Sequence, residues 1–214
     1  MYFGNRQQSC LENKPFMPSK STLQQLPKQI LLMLASIFLV FQSFGLLSGM
    51  GYYSDIGFWA AIFLAWVINM FITGIFAFAG FALPTHRLLP ARYYQIANPD
   101  QLKWFYRVFG VERFRKVLLA TLWRNKAQQQ RYFNGRPDGL AHLAEQSQKS
   151  EFGHLLPFVI LSVVGIYIVF FVQPVLGGLC LVINLLGNFY PVLLQRHHRM
   201  RLQRIAAIRT RARA

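Results

Sequence analysis

Apolar positions gather in two blocks, about 30–83 and 155–194, and polar positions occupy almost everything else. Each block breaks once, the first at "SGMGYYSDIG" (48–57) and the second at Gln173-Pro174. A bilayer core takes about 20 apolar residues per helix, so each block holds two spans. The pattern predicts helices at about 29–49, 58–83, 155–173 and 175–195. None of the four has a polar face, as a helix on a soluble core would. The fold class is therefore an all-α membrane protein: four transmembrane helices in two hairpins, with a basic helical insert between them. The expected divisions are an arm over 1–28, a hairpin over 29–83, an insert over 84–154, a second hairpin over 155–195 and a basic tail over 196–214.

Charge gives this layout a direction. Of the 23 Lys and Arg, four lie in 1–29, twelve in 85–154 and seven in 196–214, and Asp55 is the sole Asp, Glu, Lys or Arg in either outer turn. Four spans put all three basic segments on one side, and the positive-inside rule makes that side the cytoplasm. Both termini are then expected in the cytoplasm and the chain in the plasma (inner) membrane. The first 28 residues carry Pro15, Pro18 and Pro27 and do not read as a cleavable signal. Cys10 and Cys180 fall in the arm and in a span, a poor setting for a disulfide.

Composition agrees with this segregation, since 54% of residues are hydrophobic and yet the net charge is +16. So basic a chain suggests nucleic acid, but anionic lipid is already the natural partner for juxtamembrane bases. No nucleic-acid partner is expected. Walker loops, GxGxxG, GxSxG and CxxC are missing, as are the His clusters of membrane desaturases.

Within the first hairpin, Asn69 suits an interhelical hydrogen bond and Gly74 a close helix contact. The insert opens with three prolines around Tyr93-Tyr94, an irregular stretch expected to lie on the membrane. It continues as "QLKWFYRVFGVERFRKVLLATLWRNK" (101–126), where Trp104, Val108, Val111, Val117 and Leu118 alternate with bases. That is an interfacial helix, with Gly110 placed to bend it. "YFNGRPDG" (132–139) is a turn cluster. Pro157 and Gly153 suggest a kink or helix start at the membrane surface.

Two stretches could carry chemistry. In "SEFGH", Glu151 and His154 are three residues apart and share a helix face. A carboxylate that orients an imidazole makes a general base, and the same spacing is compatible with metal ligation. With few other ligands in the chain, no metal site is assigned. His142 and Glu145 repeat the spacing in a more polar setting, where solvated side chains suffice. The second stretch is "GNFYPVLLQRHHRMRL" (187–202). A membrane anchor explains its arginines, but not Asn188, Tyr190-Pro191 and Gln195, which weaken the span. The paired helices could bring Glu151, His154, Asn188, Gln195 and Arg196 into one pocket.

Taken in order, "VERFRKVLLATL", "LAHLAEQSQKSEFGHLLPF" and "NFYPVLLQRHHRMRLQRI" resemble the glycosyl-4,4'-diaponeurosporenoate acyltransferase family, over about 104–205 and in the four-span layout. Glu151 and His154 match its ExxH element. Asn188, Pro191, Gln195, Arg196, Arg199, Arg201 and Leu202 match its closing element, whereas His197-His198 depart from it. The resemblance implies acyl transfer from a thioester donor to a hydroxyl of a membrane-embedded glycolipid or glycosylated terpenoid. His154 would be the base, with Glu151 orienting it. Arg196, Arg199 and Arg201 would hold the phosphates of an acyl-CoA or the acidic face of an acyl carrier protein, as co-substrate and not as bound cofactor. Gln195 or Asn188 would donate to the oxyanion. The alternative is a non-catalytic subunit that recruits a partner to the membrane through its basic face.

Overall fold

The computed structural model describes residues 20–121 and 139–211; the arm before residue 20, Cys10 and nearly all of the "YFNGRPDG" cluster lie outside that range. Every regular element in the described residues is helical. Helix α1 spans Lys20–Ser48 and α2 Phe58–Ala82. Two single 3₁₀ turns, Thr85–Leu88 and Ala91–Tyr94, lead to α3 (Pro99–Val108) and α4 (Val111–Thr121). Helix α5 covers Gly139–Phe171 and α6 Pro174–Asn184; a π-turn over Leu185–Phe189 then joins α6 to α7, Tyr190–Arg211. Four stretches are long and apolar enough to cross a bilayer: Leu26–Ser48, Phe58–Ala82, Leu143–Phe171 and Pro174–Ile205. Phe41, Phe44, Trp59, Phe63, Phe170 and Phe171 stand exposed on them, as lipid-facing side chains do. This is an integral membrane protein.

The helix that carries the end of the fourth span outruns its expected limit, whereas the start of α5 does not. Helix α5 begins at Gly139, so the helix formers ahead of the third span run straight into it, and it passes through Pro157. The fourth span does not end at 195. The chain continues as one helix to Arg211, so the described part of the basic tail, 196–211, forms the last four turns of α7.

Local chemistry sets the smaller elements. Asn98 caps α3 by accepting from the Gln101 amide at 3.0 Å, and Pro99 follows at the first helical position, where its missing N–H costs nothing. Gly110 adopts φ 61° and breaks α3 from α4, as its position suggested. The two short helices are not a free interfacial rod. Leu102, Tyr106 and Val111 pack on Leu193, Leu194 and Met200 of α7, leaving Trp104, Val108 and Val117 outward.

Two contact surfaces hold the spans together. α1 packs on α2, and α2 in turn packs on both α5 and α6. Ala61, Ala65, Ile68 and Ile72 of α2 meet Leu161, Ile168, Leu176 and Cys180 in the main core. Small residues let the backbones close in: a Cβ on Gly177 would stand 2.4 Å from the Val169 amide nitrogen. Asn69 makes the interhelical bond expected of it, donating to the Cys180 carbonyl at 3.2 Å as well as to Ala65 at 2.9 Å. At the turn end, Gln173 Nε2 donates to the Ile56 carbonyl and ties one hairpin to the other. That packing fixes the other, charged ends of α2, α5 and α7 beside one another.

Candidate active site

At the charged end a cavity of about 470 Å³ opens between the last turns of α2, the first half of α5 and the middle of α7. Phe76, Phe81, Leu143 and Leu202 give it apolar walls, while His154, Gln195, His198, Arg201 and Lys149 supply the polar ones. The lining of α5 runs from Leu140 to His154, about 21 Å at 1.5 Å per residue. His154 is the polar residue of that lining nearest the bilayer. Gly153 beside it keeps the wall thin, since a Cβ there would already touch the Phe76 carbonyl at 3.9 Å.

The expected pocket is divided. His154, Gln195 and Arg201 line the cavity; Asn188, Glu151, Arg196 and Arg199 do not. Glu151 does not orient His154. Its side chain is fully buried and is held by Arg199 on Oε2 and by Arg196 at 3.3 Å and the Tyr93 hydroxyl at 2.9 Å on Oε1. The expectation failed because a buried carboxylate needs cations more than it needs a neutral ring, and α7 brings two of them alongside. Arg196 and Arg199 are thereby spent on Glu151, and a donor's phosphates would have to displace it. Arg199 is itself only 2% exposed, with its guanidinium 5.0 Å above the Tyr94 ring.

This clasp also reaches the insert. Tyr93 and Tyr94 are packed against Glu151 of α5 and against Arg196 and Arg199 of α7. Tyr94 is buried, and Gln203 of α7 bonds the Tyr94 carbonyl and the Ile96 amide, each at 3.2 Å. Burial first, then the Glu151 charge, pushes both phenols up to about 12. Tyr93 thus stays a hydrogen-bond donor to the carboxylate across the physiological range.

The residue that does orient His154 is Asn188, whose Oδ1 lies 3.1 Å from Nδ1. Asn188 is 1% exposed and sits behind the ring, on the far side from the cavity. It is therefore a poor oxyanion donor, which leaves Gln195, on the cavity wall, for that part. The π-turn contributes here. Leu176, Cys180, Asn184, Asn188 and Val192 recur every four residues and are all buried. On an α-helix that spacing drifts by about 40° per step; the wider turn at Leu185–Phe189 sets the face back toward α5.

Other cavity residues were not picked out from the sequence. His198 lines the wall, although it departs from the resembled motif, while His197 turns away to stack on Tyr106 at 4.1 Å. Helical spacing would have found it: Gln195, His198, Arg201, Leu202 and Ile205 share one face of α7. Lys149 also lines the cavity and pairs with Glu145 at 2.8 Å. The side chain of His142 lies outside the described residues. Among the described residues no three His, Cys, Asp or Glu side chains converge as a metal site would require.

Residues 90–208 match the profile of the glycosyl-4,4'-diaponeurosporenoate acyltransferase family, more than half of the chain. The chain belongs to this family. The matched region takes in the clasp from Tyr93 to Gln203, the His154–Asn188 pair and the α5 and α7 walls of the cavity. It leaves the first hairpin outside. No curated protein and no solved structure matches the chain.

Proposed function

We propose that the protein transfers an acyl chain from a thioester donor to a hydroxyl of a membrane-embedded glycosylated lipid or terpenoid, at the inner face of the plasma membrane, with both termini cytoplasmic. The observation that carries this reading is the cavity itself: apolar walls, a cationic and polar lining, and a half-buried, oriented imidazole at its inner end. Family membership supports the reaction class.

His154 takes the proton of the acceptor hydroxyl as its oxygen attacks the thioester carbonyl. The tetrahedral intermediate carries its negative charge on the former carbonyl oxygen, toward which Gln195 can donate. Collapse breaks the carbon–sulfur bond, and the departing thiolate recovers the proton from His154. Esters form, a thiol leaves, and no oxidant or metal is required. Arg201 and Lys149 are the cations on the cavity wall suited to the phosphates of an acyl-CoA or to the acidic face of an acyl carrier protein. Glu151, Arg196 and Arg199 brace α5 and α7 behind the cavity and do not join the reaction.

Lipid mass spectrometry on native membranes tests this, comparing wild type, deletion and His154→Ala at matched protein levels. An acylated glycolipid should be present with the wild type and fall about 10²- to 10⁴-fold with His154→Ala. Undiminished product from His154→Ala would exclude the base and favour the recruiting subunit.

A further inference from the structure

We propose that Asn184, which does not touch the cavity, is a positioning residue that sets the tautomer of His154. The inference rests on the reading of His154 as the base, because a base must present an unprotonated nitrogen to the cavity.

The chain of bonds starts at a backbone carbonyl. Asn184 lies 3.0 Å from the Phe158 oxygen of α5 and 3.1 Å from Ser162 Oγ. A carbonyl oxygen can only accept, so the amide atom facing it must be Nδ2. Oδ1 of Asn184 then points along its own helix to Asn188, 3.0 Å away, and must receive a proton from Asn188 Nδ2. That leaves Asn188 Oδ1 facing His154, and an oxygen acceptor there requires the proton on Nδ1. Nε2 keeps its lone pair free. Each link of this side-chain relay forces the next, and the relay begins at Phe158.

Thr73 of α2 cannot substitute for it. Its hydroxyl lies 3.0 Å from Asn188 Nδ2 and 3.3 Å from Oδ1. A hydroxyl donates and accepts, so it satisfies Asn188 in either orientation. The Gly187 backbone, in the π-turn, is a second polar neighbour of the ring. Asn184 and Asn188 are both 1% exposed. Water is therefore a poor replacement partner at this depth, and an amide flip would set two acceptor oxygens against each other at Asn184 or Phe158.

The measurement is ¹⁵N NMR of histidine-labelled full-length protein in lipid nanodiscs at neutral pH, with His154 assigned by its loss in His154→Gln. The expected spectrum shows His154 neutral, protonated at Nδ1 and bare at Nε2. In Asn184→Leu, with its melting temperature checked against wild type, a mixture of tautomers is expected. Acylated-lipid product per folded protein should drop about tenfold or more. An Nε2–H ring or a doubly protonated ring in the wild type would overturn the proposal, as would an unchanged tautomer in Asn184→Leu. The two readings separate cleanly. If the ring is Nδ1-protonated but His154→Ala keeps full activity, the base falls and the tautomer relay stands.

Discussion

The two hairpins look alike by hydropathy and differ in what they bury. In α1 and α2 the buried polar side chains are Ser36, Ser43 and Asn69, and those with a recorded partner, Ser36 and Asn69, bond backbone carbonyls. In α5 through α7 they include Glu151, Asn184, Asn188 and Arg199, which bond one another or side chains of other elements. These buried side chains of the first hairpin thus rely on backbone carbonyls, which any helix presents, including that of Cys180 in α6. The second hairpin satisfies its own through a network in which each residue needs a particular partner. The family match, confined to residues 90–208, falls on the second. Burying ionic and amide groups in a membrane costs several kcal/mol, and the hairpin that bears this cost is the one that lines the cavity with His154.

The clasp is the sharpest place to break the comparison. Arg199→Met leaves Glu151 buried with Tyr93 and the partly exposed Arg196, and should cost about 3–5 kcal/mol. Glu151→Leu alone strands Arg199 and should cost a similar amount. Combined, the two substitutions remove both charges from the core, and stability should return to within about 1–2 kcal/mol of wild type. Thermal melts in nanodiscs read the stability, and lipid product reads the activity. Recovery of both makes Glu151 structural. A stable but inactive double variant would instead return Glu151 to the catalytic machinery.

A milder comparison uses one substitution in both hairpins. On Gly74 a new Cβ would meet Leu39 Cδ1 at 2.6 Å, the tip of a flexible side chain that can turn away. On Gly177 it would meet the Val169 amide nitrogen at 2.4 Å and the Gly165 carbonyl at 2.8 Å, both backbone. Gly177→Ala should therefore destabilise by about 1–3 kcal/mol and Gly74→Ala by less than about 1 kcal/mol. Equal losses would mean that α5 and α6 are no more tightly joined than α1 and α2.

The spans, their pairing, the Asn69 bond and the bend at Gly110 were legible because each follows from local composition or one residue's chemistry. The division of the site was not, and one boundary explains why. With the fourth span ended at 195, Arg196 to Arg201 read as an undifferentiated basic cluster. Once α7 continues, the same residues fall on two faces. Gln195, His198 and Arg201 face the cavity, while Arg196, Arg199 and Gln203 face Glu151, Tyr93 and Tyr94. Helical spacing held the information, but hydropathy ended the helix too soon. The partner of Glu151 was beyond reach for another reason. Sequence proximity to His154 suggested a dyad, whereas the 45 and 48 residues separating it from Arg196 and Arg199 concealed an ion pair.

The joint between the hairpins offers the smallest effect, through His86. Its side chain is 10% exposed, in the 3₁₀ turn that packs on α5. Burial holds its pKa below the usual imidazole value; Glu145 opposes that shift, and Lys149 and Arg87 add to it. A folded state that binds fewer protons than the unfolded one gains stability as pH rises. The contribution is complete above the unfolded value, about 6.5, and is lost as pH falls from there toward the lowered folded value. Hydrogen exchange of residues 85–94 should thus be flat from about pH 8 to 7 and quicken below about 6.5, after correction for intrinsic rates. His86→Gln should flatten the profile. Glu145→Gln should make the wild-type loss steeper, because it removes the carboxylate that favours the charged ring. Wild-type protection that grows on acidification would mean the Glu145 charge outweighs burial, and the joint would then tighten in acid where the present geometry has it loosen.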